Sequence, residues 1–206
     1  RKQSVKEHLY GTAVLARDFA SRFGKGEWGY CCGMLHDIGK YSLAFQDKIT
    51  NGTNKCVDHS TAGAQVCAQK GGLYPFVSYC IAGHHAGLPD HGSSADSGSA
   101  PTLTGRRKKI IEDYSAYKAE IPIPELKEIP FDPRKAVDPD FSLSVFIRML
   151  YSCLVDADFL DTENFMKNGD TRRESGEKLE VLLKKLENHI ADWLRNDHTE
   201  TINGRR

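Results

Sequence analysis

The sequence predicts an all-α fold, a bundle of helices without a β-sheet. Apolar residues recur at the three- and four-residue spacing of helix faces along most of the chain. No two segments show the strict alternation that is typical of paired strands. With 206 residues and 39% hydrophobic content, the chain is long enough for one domain with a core that needs no disulfide bonds.

The first half of the chain predicts five helices in succession. They are expected at residues 4–23, 27–38, 41–49, 58–70 and 75–85. The second helix has an apolar stripe, Trp28, Cys31, Cys32 and Leu35, and Gly39 is a natural stop for it. Pro75 can open the fifth helix, because the first helical position needs no N–H donor.

The second half is less regular. Residues 86–104 are rich in Gly, Ser and Pro and predict a long loop, followed by a basic helix at 105–119. Residues 121–140 hold five of the eight prolines and should be extended or turning. Residues 141–160 are strongly apolar and predict a central buried helix, and residues 175–195 predict an amphipathic one.

Charge and cysteine content narrow the class of protein. Lys and Arg (28) balance Asp and Glu (28), so nucleic-acid binding would require a local basic patch or a metal site. No apolar run is long enough for a membrane span. The six cysteines form no C-x-x-C pair, so we expect reduced core thiols and a cytoplasmic protein. The chain begins with Arg1, which suggests a fragment or a trimmed product.

Histidines fall at inward-facing or helix-terminal positions of these helices, together with two aspartates. The set comprises His8, His36, Asp37, His59, His84, His85 and Asp156. Each histidine alone could be an ordinary hydrogen-bonded core residue, and Asp156 could cap a helix or pair with an arginine. Taken together, they indicate a site for a divalent ion, because buried carboxylates need a partner. Imidazole and carboxylate ligands suit Mn, Fe, Co, Ni or Zn.

Four short motifs carry a family resemblance. They are the H-D-x-G-K sequence at 36–40, Asp58-His59-Ser60, the G-H-H-A-G-L-P sequence at 83–89, and Leu154-Val155-Asp156-Ala157-Asp158. The first is similar to the motif of the HD metal-dependent phosphohydrolase superfamily. The order and spacing of all four resemble the HD nuclease domain of CRISPR-associated type I nuclease–helicases. The resemblance covers about 4–162 of a single 1–206 HD nuclease domain, and 163–206 would be a helical extension towards a helicase module.

The resemblance implies an HD-domain helical bundle around a centre of two divalent transition-metal ions. His8, His36, Asp37 and Asp156 would hold one ion, and Asp37 would bridge to a second held by His59, His84 and His85. Asp37 and Lys40 would be the catalytic residues, with Lys40 also contacting phosphate. Asp158 is expected to point away from the site, about 200° around the helix from Asp156.

The basic run Arg106-Arg107-Lys108 follows the long loop and could guide a phosphate backbone, although such runs are usually solvated helix faces. By resemblance, the chain would cleave single-stranded DNA in CRISPR interference, an antiviral defence. Its partners would be a superfamily 2 helicase module and the CRISPR surveillance complex, Cascade. Two alternatives stay open: a phosphohydrolase of nucleotides or cyclic nucleotides, and an inactive HD interaction module.

Overall fold

The structure, a computed structural model, describes residues 2–52, 56–169 and 177–195. Within these ranges the chain forms eight α-helices and three short 3-10 helices, and it contains no strand. The predicted all-α class is therefore confirmed. No described helix is both long enough and apolar enough to span a bilayer.

The α-helices are labelled in chain order. They are α1 (Val5–Ser21), α2 (Gly26–Leu35), α3 (Leu43–Asn51), α4 (Ser60–Lys70), α5 (Tyr74–Gly83), α6 (Leu103–Lys108), α7 (Pro139–Met166) and α8 (Leu179–Arg195). The 3-10 helices are Ile38–Tyr41, Ser115–Ala119 and Pro133–Lys135. Residues up to Gly169 form one compact unit, and α8 belongs to a second. Residues 170–176 and 196–206, part of the predicted extension, lie outside the described residues.

Small residues bring α1 and α2 into close contact at the centre of the first unit. A Cβ atom at Gly33 would lie 2.4 Å from the Cα of Ala13, and one at Gly29 would lie 2.2 Å from the carbonyl oxygen of Ala16. The backbones of the two helices can approach this closely only because both α2 residues lack a side chain. The contact places His8 of α1 beside the end of α2.

Two sequence predictions about helices are wrong in extent. The predicted basic helix 105–119 is the short α6, which ends at Lys108. The Gln65 amide donates hydrogen bonds to the carbonyls of Arg106 (3.0 Å) and Lys109 (2.7 Å), and these bonds satisfy the end of the helix from outside. The chain then leaves the helix at Lys109 in an extended conformation.

The predicted central helix 141–160 is part of the longer α7, and it is buried along one face only. Phe146, Leu150 and Leu154 lie in the core on this face. Phe141 (66% exposed) and Met149 (42% exposed) lie outside it. The apolar content of residues 141–160 therefore overstates how much of the helix is buried. The face that is buried also decides which aspartates of α7 point towards the core.

Candidate metal centre

Histidine and aspartate side chains from separate parts of the fold meet at one place. The contributing residues are His8 on α1, His36 and Asp37 after α2, His59 before α4, His84 and His85 after α5, and Asp158 on α7. Two groups of potential ligands result: His8, His36, Asp37 and Asp158 in one, and Asp37, His59, His84 and His85 in the other. Within each group, one ligand atom per residue lies within 4.8 Å of all the others.

Asp37 belongs to both groups and is fully buried. Its Oδ2 atom lies 3.5 Å from His8 Nε2 and 3.3 Å from His36 Nε2. Its Oδ1 atom lies 3.4 Å from the Nε2 atoms of both His59 and His84. The two oxygens of a single carboxylate thus face different ligand groups, which is the arrangement that a bridging carboxylate requires.

The ends of α2 and α5 orient two of the histidines. The Nδ1–H of His36 donates to the carbonyl of Gly33 (2.8 Å), and that of His84 donates to the carbonyl of Ile81 (2.7 Å). Both carbonyls lie in the last turn of a helix, where such groups have no partner within the helix. These bonds assign the proton to Nδ1 and direct Nε2 towards Asp37.

Unsatisfied atoms mark the centre of the cluster. Among the described residues, the Nε2 atoms of His8, His36 and His84 and both carboxylate oxygens of Asp37 are buried without a hydrogen bond. The Lys40 ammonium forms an ion pair with Asp37 Oδ2, but this contact gives no hydrogen-bond partner to the three Nε2 atoms or to Asp37 Oδ1. Leaving buried polar groups unpaired is costly, and a divalent ion would satisfy imidazole nitrogens and carboxylate oxygens together. The donor set therefore fits a metal.

Gly39 lets the two halves of the centre approach each other. A Cβ atom at this position would lie 2.2 Å from the carbonyl oxygen and 2.6 Å from the Cα of His59. The turn that carries Asp37 therefore packs directly on the backbone of His59. This contact gives a physical reason for glycine in the H-D-x-G-K sequence.

The two ligand groups differ electrostatically in the metal-free protein. Burial lowers the pKa of His8, but the nearby carboxylates of Asp158, Asp161 and Asp37 outweigh it and raise the pKa to about 10. In the other group, burial and the neighbouring His84 lower the pKa of His85 to about 4. His8 in the carboxylate-rich group is therefore protonated at pH 7, whereas His85 is neutral, and metal binding by His8 would release a proton.

Comparison with protein families gives a clear result. The family model of the HD domain matches residues 5–124, more than half of the chain. The chain belongs to the HD domain family. This membership indicates a metal-dependent phosphohydrolase, in agreement with the His/Asp cluster. No curated protein matches the sequence.

One predicted ligand of this HD domain, Asp156, lies away from the histidine cluster. The structure brings Asp158, not Asp156, to the histidines: Asp158 Oδ1 lies 3.2 Å from His8 Nε2 and 3.7 Å from His36 Nε2. Asp156 is exposed, on the same side of α7 as Met149. An apolar residue seven positions before Asp156 favours a buried face there, but Met149 is itself exposed, so it does not mark the face that packs on the core.

The other predicted ligands, His8, His36, Asp37, His59, His84 and His85, all lie in the cluster. The described structure adds Asp161, whose Oδ2 lies 2.8 Å from His8 Nδ1. Asp161 follows Asp158 by three residues, the spacing that places both on one helix face. That spacing was the signal in the sequence that could have identified both residues.

The basic run of this HD domain is largely engaged in contacts within the protein. Arg106 donates to the Ser60 and Thr61 hydroxyls (3.0 and 3.3 Å). Lys108 donates to two carbonyls of the preceding loop. Arg107 lines a surface cavity of about 510 Å³ beside α4. Contact of these residues with a phosphate backbone stays a prediction. Among the three, Arg107 is the best placed for such a contact.

Proposed function

We propose that this HD domain is a metal-dependent nuclease that hydrolyses phosphodiester bonds of single-stranded DNA with two metal ions. The observation that carries the proposal is the shared carboxylate. Asp37 presents one oxygen to each of two neighbouring ligand groups. Paired ions are typical of enzymes that cleave phosphodiesters by in-line displacement.

The grouping of the ligand atoms supports two proposed ligand sets. His8, His36, Asp37 and Asp158 would hold one ion, and Asp37, His59, His84 and His85 would hold the other. Bound ions of this kind lower the pKa of water towards about 7 and offset the charge of the phosphate. The nitrogen- and oxygen-donor set suits Mn, Fe, Co, Ni or Zn.

Lys40 is the cationic residue closest to the shared carboxylate. Its ammonium pairs with Asp37 Oδ2, and about a quarter of its side chain (24%) is exposed. We infer that this ammonium exchanges its carboxylate partner for a phosphate oxygen when substrate is present. As a compact charge on a flexible stem, lysine suits such a contact.

The substrate class rests on two features. His85 and the edge of the cluster around Lys40 are accessible to solvent, so a polymer strand can approach from this side. The G-H-H-A-G-L-P sequence is the most specific element of the resemblance to CRISPR-associated nuclease–helicases. We therefore propose a role in CRISPR interference in the cytoplasm, with a superfamily 2 helicase module and Cascade supplying single-stranded DNA.

The experiment that tests this function uses metal-stripped protein and end-labelled single-stranded DNA. Mn²⁺, Co²⁺, Ni²⁺ or Mg²⁺ would be added to wild-type protein, to Asp37→Ala and to the control Asp156→Ala, which changes an exposed carboxylate of α7. We expect cleavage by the wild type and the control but not by Asp37→Ala. Equal cleavage by Asp37→Ala would refute the bridging role.

The same protein would be given nucleotides and cyclic nucleotides. Hydrolysis of these compounds with DNA left intact would replace the nuclease by a small-molecule phosphohydrolase with the same centre. Metal uptake without hydrolysis of either class would favour an interaction module. Each result therefore selects one of the three functions that the sequence left open.

A further inference from the structure

We propose that Asp161 is a positioning residue for His8, and that Gln3 and Gly11 hold Asp161 in place for this role. The proposal rests on the metal centre proposed above and adds residues that hold one of its ligands in place. Asp161 lies behind the His8 ring, on the side away from the cluster. It contacts Nδ1, whereas Asp37 and Asp158 face Nε2.

The contact of Asp161 with His8 is short and buried. His8 Nδ1 donates to Asp161 Oδ2 at 2.8 Å, and Asp161 is only 9% exposed. The Gln3 amide donates to the same oxygen at 3.0 Å. A carboxylate between two donors is fixed in direction, and it in turn fixes the ring of the histidine.

His8 differs in this respect from the two other buried histidines of the cluster. The Nδ1–H groups of His36 and His84 donate to backbone carbonyls, which carry no net charge. A carboxylate partner makes an imidazole a more basic ligand than a carbonyl does. The bond therefore acts on only one of the two ligand groups, the one that contains His8.

Gly11 provides the space for this carboxylate. A Cβ atom on Gly11 would lie 2.0 Å from Asp161 Oδ1 and 2.8 Å from its Cγ. Gly11 lies inside α1, where glycine is less favourable than alanine because its backbone loses more conformational freedom. The chain therefore has a poor helix former at a position where a methyl group would displace Asp161. The helix α1 thus supplies the histidine at position 8 and the space for its partner one turn later.

The first test observes His8 in the metal-free protein by NMR. Three buried, hydrogen-bonded imidazole N–H protons, those of His8, His36 and His84, should give protected downfield resonances. We expect Asp161→Ala to lose only the His8 resonance, and Asp161→Asn, which keeps an acceptor oxygen, to retain it. The resonances of His36 and His84 report that each variant is folded.

Gly11→Ala and Gln3→Ala make the test independent of any folding defect in Asp161→Ala. Gly11→Ala should also lose the His8 resonance, although it leaves every hydrogen-bonding group in the chain. Gln3→Ala removes one donor near the N-terminus and should weaken the protection of the resonance from solvent exchange. Retention of the His8 resonance in both Asp161→Ala and Gly11→Ala would overturn the proposal.

The second test measures metal affinity by competition with a chelator. Loss of a residue that orients a ligating histidine typically lowers affinity about 10- to 100-fold. We expect this loss in Asp161→Ala for one of two bound ions, a smaller loss in Asp161→Asn, and no change for the other ion. Unchanged affinity for both ions would refute the role in metal binding. If the wild type binds no metal while Asp161→Ala still loses the His8 resonance, the proposed function fails and the positioning of His8 stands.

Discussion

Replacing Gly39 by alanine should dismantle the centre without touching a ligand. The new Cβ would lie 2.2 Å from the His59 carbonyl oxygen, whereas ordinary contacts begin at 3.4 Å. The obstructing atoms are backbone, so the turn carrying Asp37 and the segment carrying His59 must separate by roughly 1 Å. Metal–ligand distances tolerate only about 0.2 Å of error. The Asp37–His59 side of the centre should therefore lose its ion.

The expected magnitudes follow from this displacement. Overpacking of this kind costs about 1–3 kcal/mol in the free energy of unfolding. A misplacement of about 1 Å can reduce a catalysed rate by about 10²-fold. The assay is bound metal per protein after dialysis, with thermal denaturation and the rate of DNA cleavage measured on the same samples.

Gly24→Ala is the matched control. Gly24 follows α1 with φ +73°, and a Cβ there would meet no atom within 4 Å. The left-handed conformation should cost about 1–2 kcal/mol for alanine, a loss of stability similar to that of Gly39→Ala. Metal content and rate should nevertheless stay at wild-type values. A Gly39→Ala protein with full metal content and the wild-type rate would refute the close-approach argument.

Three further predictions follow from the site and the core. Asp158→Ala should lose one bound ion, whereas Asp156→Ala should keep both; the reverse pattern, measured by metal analysis, would restore the assignment made from sequence. Lys40→Ala should slow DNA cleavage yet leave bound metal nearly unchanged, and metal loss would show that this lysine has a structural role instead. Burial raises the pKa of the Cys31 thiol to about 12, whereas Cys56 is exposed. A thiol reagent at pH 8 should therefore rapidly modify one of the six cysteines in the native protein and all six in denaturant. Rapid modification of a second thiol in the native protein would contradict the burial of the other five.

The histidines of the centre could be predicted from the sequence because local patterns determine their positions. His36 and His84 each follow an apolar helix directly, and the carbonyls of the last helical turn then orient the ring. Such a signal involves only three or four neighbouring residues. The all-α class was predictable for the same reason, since helix periodicity is a local property.

The position of Asp158 at the cluster depends on a tertiary contact. Its three-residue spacing from Asp161 places both on one face of α7, but this local pattern does not show that the face is buried. In α7 nearly every position near the site is apolar or acidic, so the sequence alone did not fix which face is buried. The buried face carries Leu150, Leu154 and Asp161. The helix α7 packs against α1 and α5, and Asp161 accepts a hydrogen bond from His8 of α1. The engagement of Arg106 with Ser60 likewise joins residues 46 positions apart.

The helix-end carbonyls that hold His36 and His84 have a consequence for how ions enter and leave the protein. The rings are oriented by bonds within the polypeptide, and the apolar residues Leu35 and Ile81 of the same helix ends are fully buried. We therefore expect these ligands to lose little conformational entropy when an ion binds, unlike those of zinc fingers, which become ordered only with their metal. We expect that one ion could then replace another on the folded chain, so that the relative supply of competing transition metals would decide which ion is bound.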